Sequence, residues 1–134
     1  SQSPTDVQPV FDTIAAAALK LCNANSAVVT RFDGELIRVA ALANVSLEGA
    51  DAVRGRYPRS PGRYNAASRA VLTRSIVAIP DVLLDPEYEI RAPLLAAGFR
   101  SIVAVPLLRE GNPLGAITVK ISSKTFQLPH TRSW

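Results

Sequence analysis

Six arginines, Arg54, Arg56, Arg59, Arg63, Arg69 and Arg74, stand in a stretch that carries no acid between Asp51 and Asp81. Three acids then follow at alternate positions, Asp85, Glu87 and Glu89. A cationic block of this kind suits an anionic ligand, a nucleic-acid backbone or an acidic partner, and its plainest reading is a solvated loop and helix face. Tyr57 and Tyr64 lie within it but form no aromatic stripe, and no recognition helix adjoins them, so nucleic acid is not expected. Reactive groups are sparse. Cys22 is the one cysteine and His130 the one histidine, which rules out an internal disulfide and makes a closed protein metal site, zinc above all, very difficult to build. No G-x-S-x-G, P-loop or paired-carboxylate arrangement is present, and the alternating acids read as a solvated cap. These residues therefore suit recognition, and no enzyme is expected.

The elements that would hold these groups follow from periodicity. Val7, Phe11, Ile14, Ala15, Ala18 and Cys22 recur at helical spacing, with Thr5 or Asp6 able to cap the helix, Pro9 in its first turn, and Asn23 or Asn25 able to end it. On that face Cys22 is expected to be a small core residue. Two strands, Ser26 to Phe32 and Glu35 to Ala43, flank Asp33-Gly34, a strong hairpin signal. A long connection from Asn44 to Gly62 holds one weak helical stretch, Leu47 to Val53, and its arginines from Arg54 to Arg63 are expected in a mobile loop. Asn65 can cap a helix over Ala66 to Arg74, and a brief strand spans Ile76 to Ile79. A further helix is predicted from about Ala92, with Pro93 in its first turn, to Gly98. Phe99 to Ile121 reads as a hairpin broken at Glu110-Gly111-Asn112-Pro113. In its second strand Gly115, Ile117, Val119 and Ile121 share one face, and Leu114, Ala116, Thr118 and Lys120 the other.

At 134 residues, 48% of them apolar, the chain can fill one core, and a single domain over 1–134 is expected. No apolar run approaches the roughly 20 residues that cross a bilayer, and the start lacks a secretory pattern, so a soluble cytoplasmic domain with no membrane contact is expected. The order helix, two strands, loop and helix, strand, helix, two strands implies an α+β fold with a central antiparallel sheet and helices on both faces.

Three strings, "FDTIAAAALKLCNANSAVVTRFDGELIRVAALA", "ASRAVLTRSIVAIPDVLLDP" and "LLAAGFRSIVAVPLLREGNPLGAITV", in that order and spacing resemble a GAF domain from about Val10 to Ile121. The likeness is greatest to those upstream of bacterial histidine kinase modules. It implies a two-component signal-transduction role: a small molecule held between the sheet and the loops of one face, its state passed to an output kinase domain. The alternative is a structural or dimerising module with a vestigial pocket. Carried onto this sequence, the resemblance makes Tyr57, Ser60, Asp81, Tyr88, Arg91, Arg100, Ser101 and Thr118 the polar groups able to fix a ligand, although Asp81 could equally cap a turn, Arg91 pair with Glu87, and Ser101 simply fill a strand.

Departures from the family narrow the ligand. Lys124 and Phe126 lack the acidic end of the Asn-Lys-Phe-Asp-Glu pattern of cyclic-nucleotide binders. Cys22 lies in the first helix, away from where a bilin would attach. The thiol cycle of the family's free methionine sulfoxide reductases needs several cysteines. No cofactor is therefore expected. Family members continue into a long closing helix, whereas Ser122 to Trp134 is short and contains Pro129, so that helix is expected to be missing or truncated. The strip Val10, Ala17 and Leu21 would then be covered by a second copy in a homodimer, with the tail from Phe126 to Trp134 assisting.

Overall fold

The computed structural model describes residues 7–89 and 99–122. Helix α1 (Gln8–Leu21) leads into β1 (Ser26–Phe32) and β2 (Ile37–Ala43), followed by α2 (Leu47–Arg54), α3 (Ala66–Thr73), β3 (Val77–Ile79), a 3-10 turn (Val82–Leu84), β4 (Phe99–Arg109) and β5 (Asn112–Ser122). The five strands form one antiparallel sheet in the order β2-β1-β5-β4-β3. The expected helix from Ala92, the caps Thr5 and Asp6, and the tail from 123 lie outside the described residues.

Strand alternation sends side chains to two cores. On one face α1 brings Phe11, Ile14 and Ala15 against Val29, Ala41 and Ile117. On the other, α3 lays Ala66, Ala70 and Val71 against Ile102, Ala104 and Ala116. Alanines at four of these α3 and sheet positions keep the helix close to the strands. The two faces of β5 thus divide as parity predicts, with Ile117 toward α1 and Ala116 toward α3.

Helix α1 starts at Gln8 without a side-chain cap. Its first turn is tied to the sheet instead, because the Gln8 amide donates to the Ala40 carbonyl at 2.7 Å. At its far end Cys22 is exposed, contrary to the core position expected from helical spacing. The helix stops at Leu21, and Asn23 takes a left-handed φ of 50°, so the helical phase no longer carries Cys22 onto the core face.

The two hairpins differ from their sequence readings in opposite ways. Asp33-Gly34 opens a four-residue loop: the Asp33 carboxylate accepts from the Glu35 and Leu36 amides, both at 2.8 Å, and β2 begins only at Ile37. The closing hairpin is tighter than expected. Glu110 and Gly111 alone make the turn, both at positive φ, and Arg109 faces Asn112 directly. Pro113 lies in the strand, beyond the last β1 partner of β5 at Gly115, where it removes no ladder donor toward β1.

Candidate functional site

The arginine block does not stay a solvated face. Arg59 forms a two-pronged ion pair with Glu89, both contacts at 3.0 Å. The Nε of Arg63 reaches both oxygens of Glu87. Arg69, on α3, grips Asp85 at 2.8 and 3.2 Å and also donates to the Arg63 carbonyl. The acids expected as a solvated cap, Asp85, Glu87 and Glu89, are thus each met by one arginine. This ladder runs antiparallel and clips the chain around 59–69 to the chain around 85–89. Its rungs are unequal: the Arg69 and Asp85 side chains are 7% and 18% exposed, whereas those of Arg63 and Glu87 are about half exposed. Only the inner rung is shielded enough to matter strongly for stability. Arg59 adds a second anchor, with its guanidinium 3.6 Å over the Tyr64 ring and its backbone bridged to Ile37 at the edge of β2. The segment once expected to be a mobile loop is in this way tied at Arg59 and Arg63.

Behind the ladder lies the α3 side of the sheet. Thr118 pairs with Val28 and Ala104, and Lys120 with Ser26 and Ile102, so both β5 side chains rise on the face that α3 covers. Thr118 is 5% exposed, and its hydroxyl has no hydrogen-bond partner. A buried hydroxyl left unpaired costs about 1 to 3 kcal/mol, which makes it an exception to be explained. Lys120 makes no ion pair among the described residues. Burial pushes its ammonium down to about 8, and the Arg56 charge acts in the same direction. Tyr57 receives a hydrogen bond from the Asn65 amide at 3.0 Å, and burial raises its phenol despite that bond. Tyr88 is buried, and desolvation pushes its phenol up to about 12 against the pull of Arg56. Both tyrosines pack into the α3-side core. The Arg56 charge acts on Lys120, Tyr57 and Tyr88 alike.

A stability trend follows from Lys120. Its native value lies below the ordinary lysine value of about 10.4, so between about 8 and 10.4 the unfolded chain binds more protons than the native one. Stability from this group therefore rises with pH across that window. Above about 10 the raised Tyr88 value works the other way, as stability is lost while the pH climbs through its native value. Urea midpoints at pH 7.5 and 9.5 are expected to show the rise, and Lys120→Met to remove it.

Of the residues proposed from sequence, Tyr57, Tyr88 and Thr118 lie on the α3 side of the sheet. Ser101 does not join them. It faces Ile121 across the ladder, which sets it on the α1 side by strand alternation, and its hydroxyl donates to the Pro80 carbonyl at 2.7 Å. Asp81 caps the 3-10 turn by accepting from the Leu83 amide at 3.0 Å. Ser60 is exposed and offers its carbonyl to the Tyr64 hydroxyl. Arg100 is exposed at the start of β4. Arg91 lies outside the described residues, and Glu87, its suggested partner, is taken by Arg63. Sequence reasoning missed Lys120 and Arg56. Lys120 carried a usable signal, since it stands two residues after Thr118 on the same strand face.

A cavity of about 320 Å³ opens between the start of α1 and the β1–β2 hairpin. Its cations are already engaged: Arg31 sits 5.2 Å over the Phe11 ring, and Arg38 lies 3.6 Å from Asp33. Among the described residues, no group of three or more acids, cysteines or histidines could hold a metal, and no helix is long and apolar enough to cross a membrane.

A family model described as GAF domain matches residues 6–132. No curated protein sequence matches the chain. Among solved structures, a GAF domain/HD domain protein from Geobacter sulfurreducens superposes with a TM-score of 0.76 at 16% identity, over 95% of this chain and 82% of that one. A domain of a putative two-component sensor histidine kinase from Sinorhizobium meliloti 1021 gives a TM-score of 0.63 at 18% identity, over 90% and 74%. Free methionine-R-sulfoxide reductase from Neisseria meningitidis, solved with its substrate, gives 0.65 at 16% identity, over 89% and 65%. At these identities the superpositions speak to fold.

Proposed function

Because the chain belongs to the GAF domain family, we propose that it is a small-molecule-sensing regulatory module whose ligand sits on the α3 side of the sheet, among Tyr57, Tyr88, Thr118 and Lys120. The observation that carries this reading is the buried, unpartnered hydroxyl of Thr118, two positions along the same strand face from a lysine that makes no ion pair among the described residues. A packing core would normally fill such positions with apolar side chains or supply partners. In a longer signalling protein the bound state would be passed to an output domain, a histidine kinase being the leading candidate. Sensor kinases are represented among the similar folds.

An enzymatic role is disfavoured by chemistry. The reductase among the similar folds invites comparison, but a thiol–disulfide cycle needs a second cysteine. Cys22, the one cysteine here, is exposed at the end of α1 on the opposite face of the sheet.

Thermal-shift screening of the purified chain with small metabolites of every charge type tests the sensor reading. A true ligand at about 100 times its Kd adds roughly 2.7 kcal/mol of stability. Thr118→Val should weaken that response. A screen in which nothing stabilises the wild type would favour a structural module with a filled pocket.

Assembly is a separate proposal. Val10 and Leu21 are 57% and 84% exposed on α1, and Ala16 and Ala17 are exposed beside them. Small residues let two helices approach closely, and we propose a two-fold homodimer through this face. Sedimentation at tens of micromolar is expected to show a dimer that Ala17→Glu dissociates. Monomers for both proteins would end the idea.

A further inference from the structure

We propose that the site takes a small organic carboxylate, held by the Lys120 ammonium and the Thr118 hydroxyl with Arg56 adding its field. This rests on the ligand-binding reading of that site and names the chemistry it would select.

Charge bookkeeping around the site leads there. The acids of the 85–89 segment, Asp85, Glu87 and Glu89, are each matched with an arginine in the ladder. Lys120 and Arg56 form no ion pair among the described residues. A desolvated ammonium is costly unless it meets an anion. The segments outside the described residues hold only one acid, Asp6.

The donor set matches one carboxylate. Residues i and i+2 of a strand rise about 7 Å apart on one face, and each can direct a hydrogen to one oxygen of a bridging carboxylate. Thr118 would gain the partner its hydroxyl lacks. The raised Tyr57 and Tyr88 phenols remain neutral near pH 7, so they add no negative charge against an anion. Val28 and Ile102, the cross-strand neighbours of Thr118 and Lys120, are apolar and suit a ligand with a small apolar body.

The test uses a panel of carboxylates from acetate to benzoate, each paired with its neutral amide, plus inorganic phosphate, all at equal ionic strength set with sodium chloride. Thermal midpoints are read for the wild type, Lys120→Met and Thr118→Val. At least one carboxylate should raise the wild-type midpoint where its amide does not. Lys120→Met should weaken that carboxylate at least about tenfold, as expected for losing a charge-assisted hydrogen bond. In the wild type, NMR titration of the lysine side chains should show the Lys120 midpoint move upward when that carboxylate is bound, a readout that stands even if the variant fails to fold. Amides matching their acids, a response to phosphate alone, an unmoved Lys120 titration, or no response from any carboxylate would each overturn the proposal. A neutral or cationic metabolite that stabilises the wild type and loses its effect in Thr118→Val would sink the carboxylate while leaving the sensor reading intact. Silence from every compound would remove both.

Discussion

Gly115→Ala is expected to destabilise the protein by about 3 kcal/mol or more, through backbone strain and overpacking together. Gly115 takes a φ of 151°, a conformation L side chains rarely adopt. A methyl group there would overlap the Thr30 carbonyl oxygen and reach 3.0 Å from the Arg31 Cα. Both obstacles are backbone atoms of β1, which cannot swing aside as a flexible side chain would. Gly115 also faces Leu107 where the β4–β5 register shifts, so the strand bends at this residue. Chemical denaturation reads the effect directly. A midpoint unchanged by the alanine would mean that β1 and β5 do not approach as closely as described.

The second large effect is expected from Arg69→Leu, about 3 kcal/mol of lost stability. That is the lower end for breaking a buried ion pair, because Asp85 keeps some contact with water. The leucine would leave Asp85 without its main partner and the Arg63 carbonyl without two donors. Arg69→Lys should recover only part of the loss, since one ammonium cannot reproduce a planar fork that binds a carboxylate and a carbonyl together. The pH dependence carries a matching signature. Arg69, and to a lesser degree the Glu87 amide, hold the Asp85 carboxyl below the ordinary carboxylate range, against desolvation. A depressed native value gives stability that is complete above the unfolded value of about 3.9 and is lost as the pH falls through the native one. The acid limb of the wild-type stability profile should be steeper than that of Arg69→Leu. Equal limbs would show that the pair contributes nothing.

The fold was legible in the sequence wherever its signal was local. The turn signal Asp33-Gly34 bounded β1, Ser26 to Phe32, and Asn65 was readable as the cap of α3, where its side chain accepts from the Ser68 amide. The site was legible only in part, because its residues meet through register and loop closure. Ser101 and Thr118 both looked able to face a ligand, yet only the pairing of Ser101 with Ile121 and of Thr118 with Ala104 assigns them to opposite faces. The ladder was hidden for a similar reason. Arg59 and Glu89 are 30 positions apart in segments without period, so nothing in the chain announces their pairing. Cys22 shows the limit of periodicity itself, since a helical face ends where the helix ends.

The placement of β1 between β2 and β5 has a consequence in time. The Thr30 hydroxyl meets the Ala116 carbonyl across 86 positions, and the edge of β1 opposite β2 finds its partner only in the last described strand. During synthesis at about 5 to 20 residues per second, α1 and the first hairpin leave the ribosome on the order of 10 seconds before β5 can reach them. Throughout that interval the run Ala27, Val28, Val29 presents an open strand edge, a template for another nascent chain. Closing so long a loop also places the protein among slow, topology-limited folders. Its exposure to misassembly is greatest before completion, and a chaperone that holds the first hairpin would act on this interval while leaving the finished domain untouched.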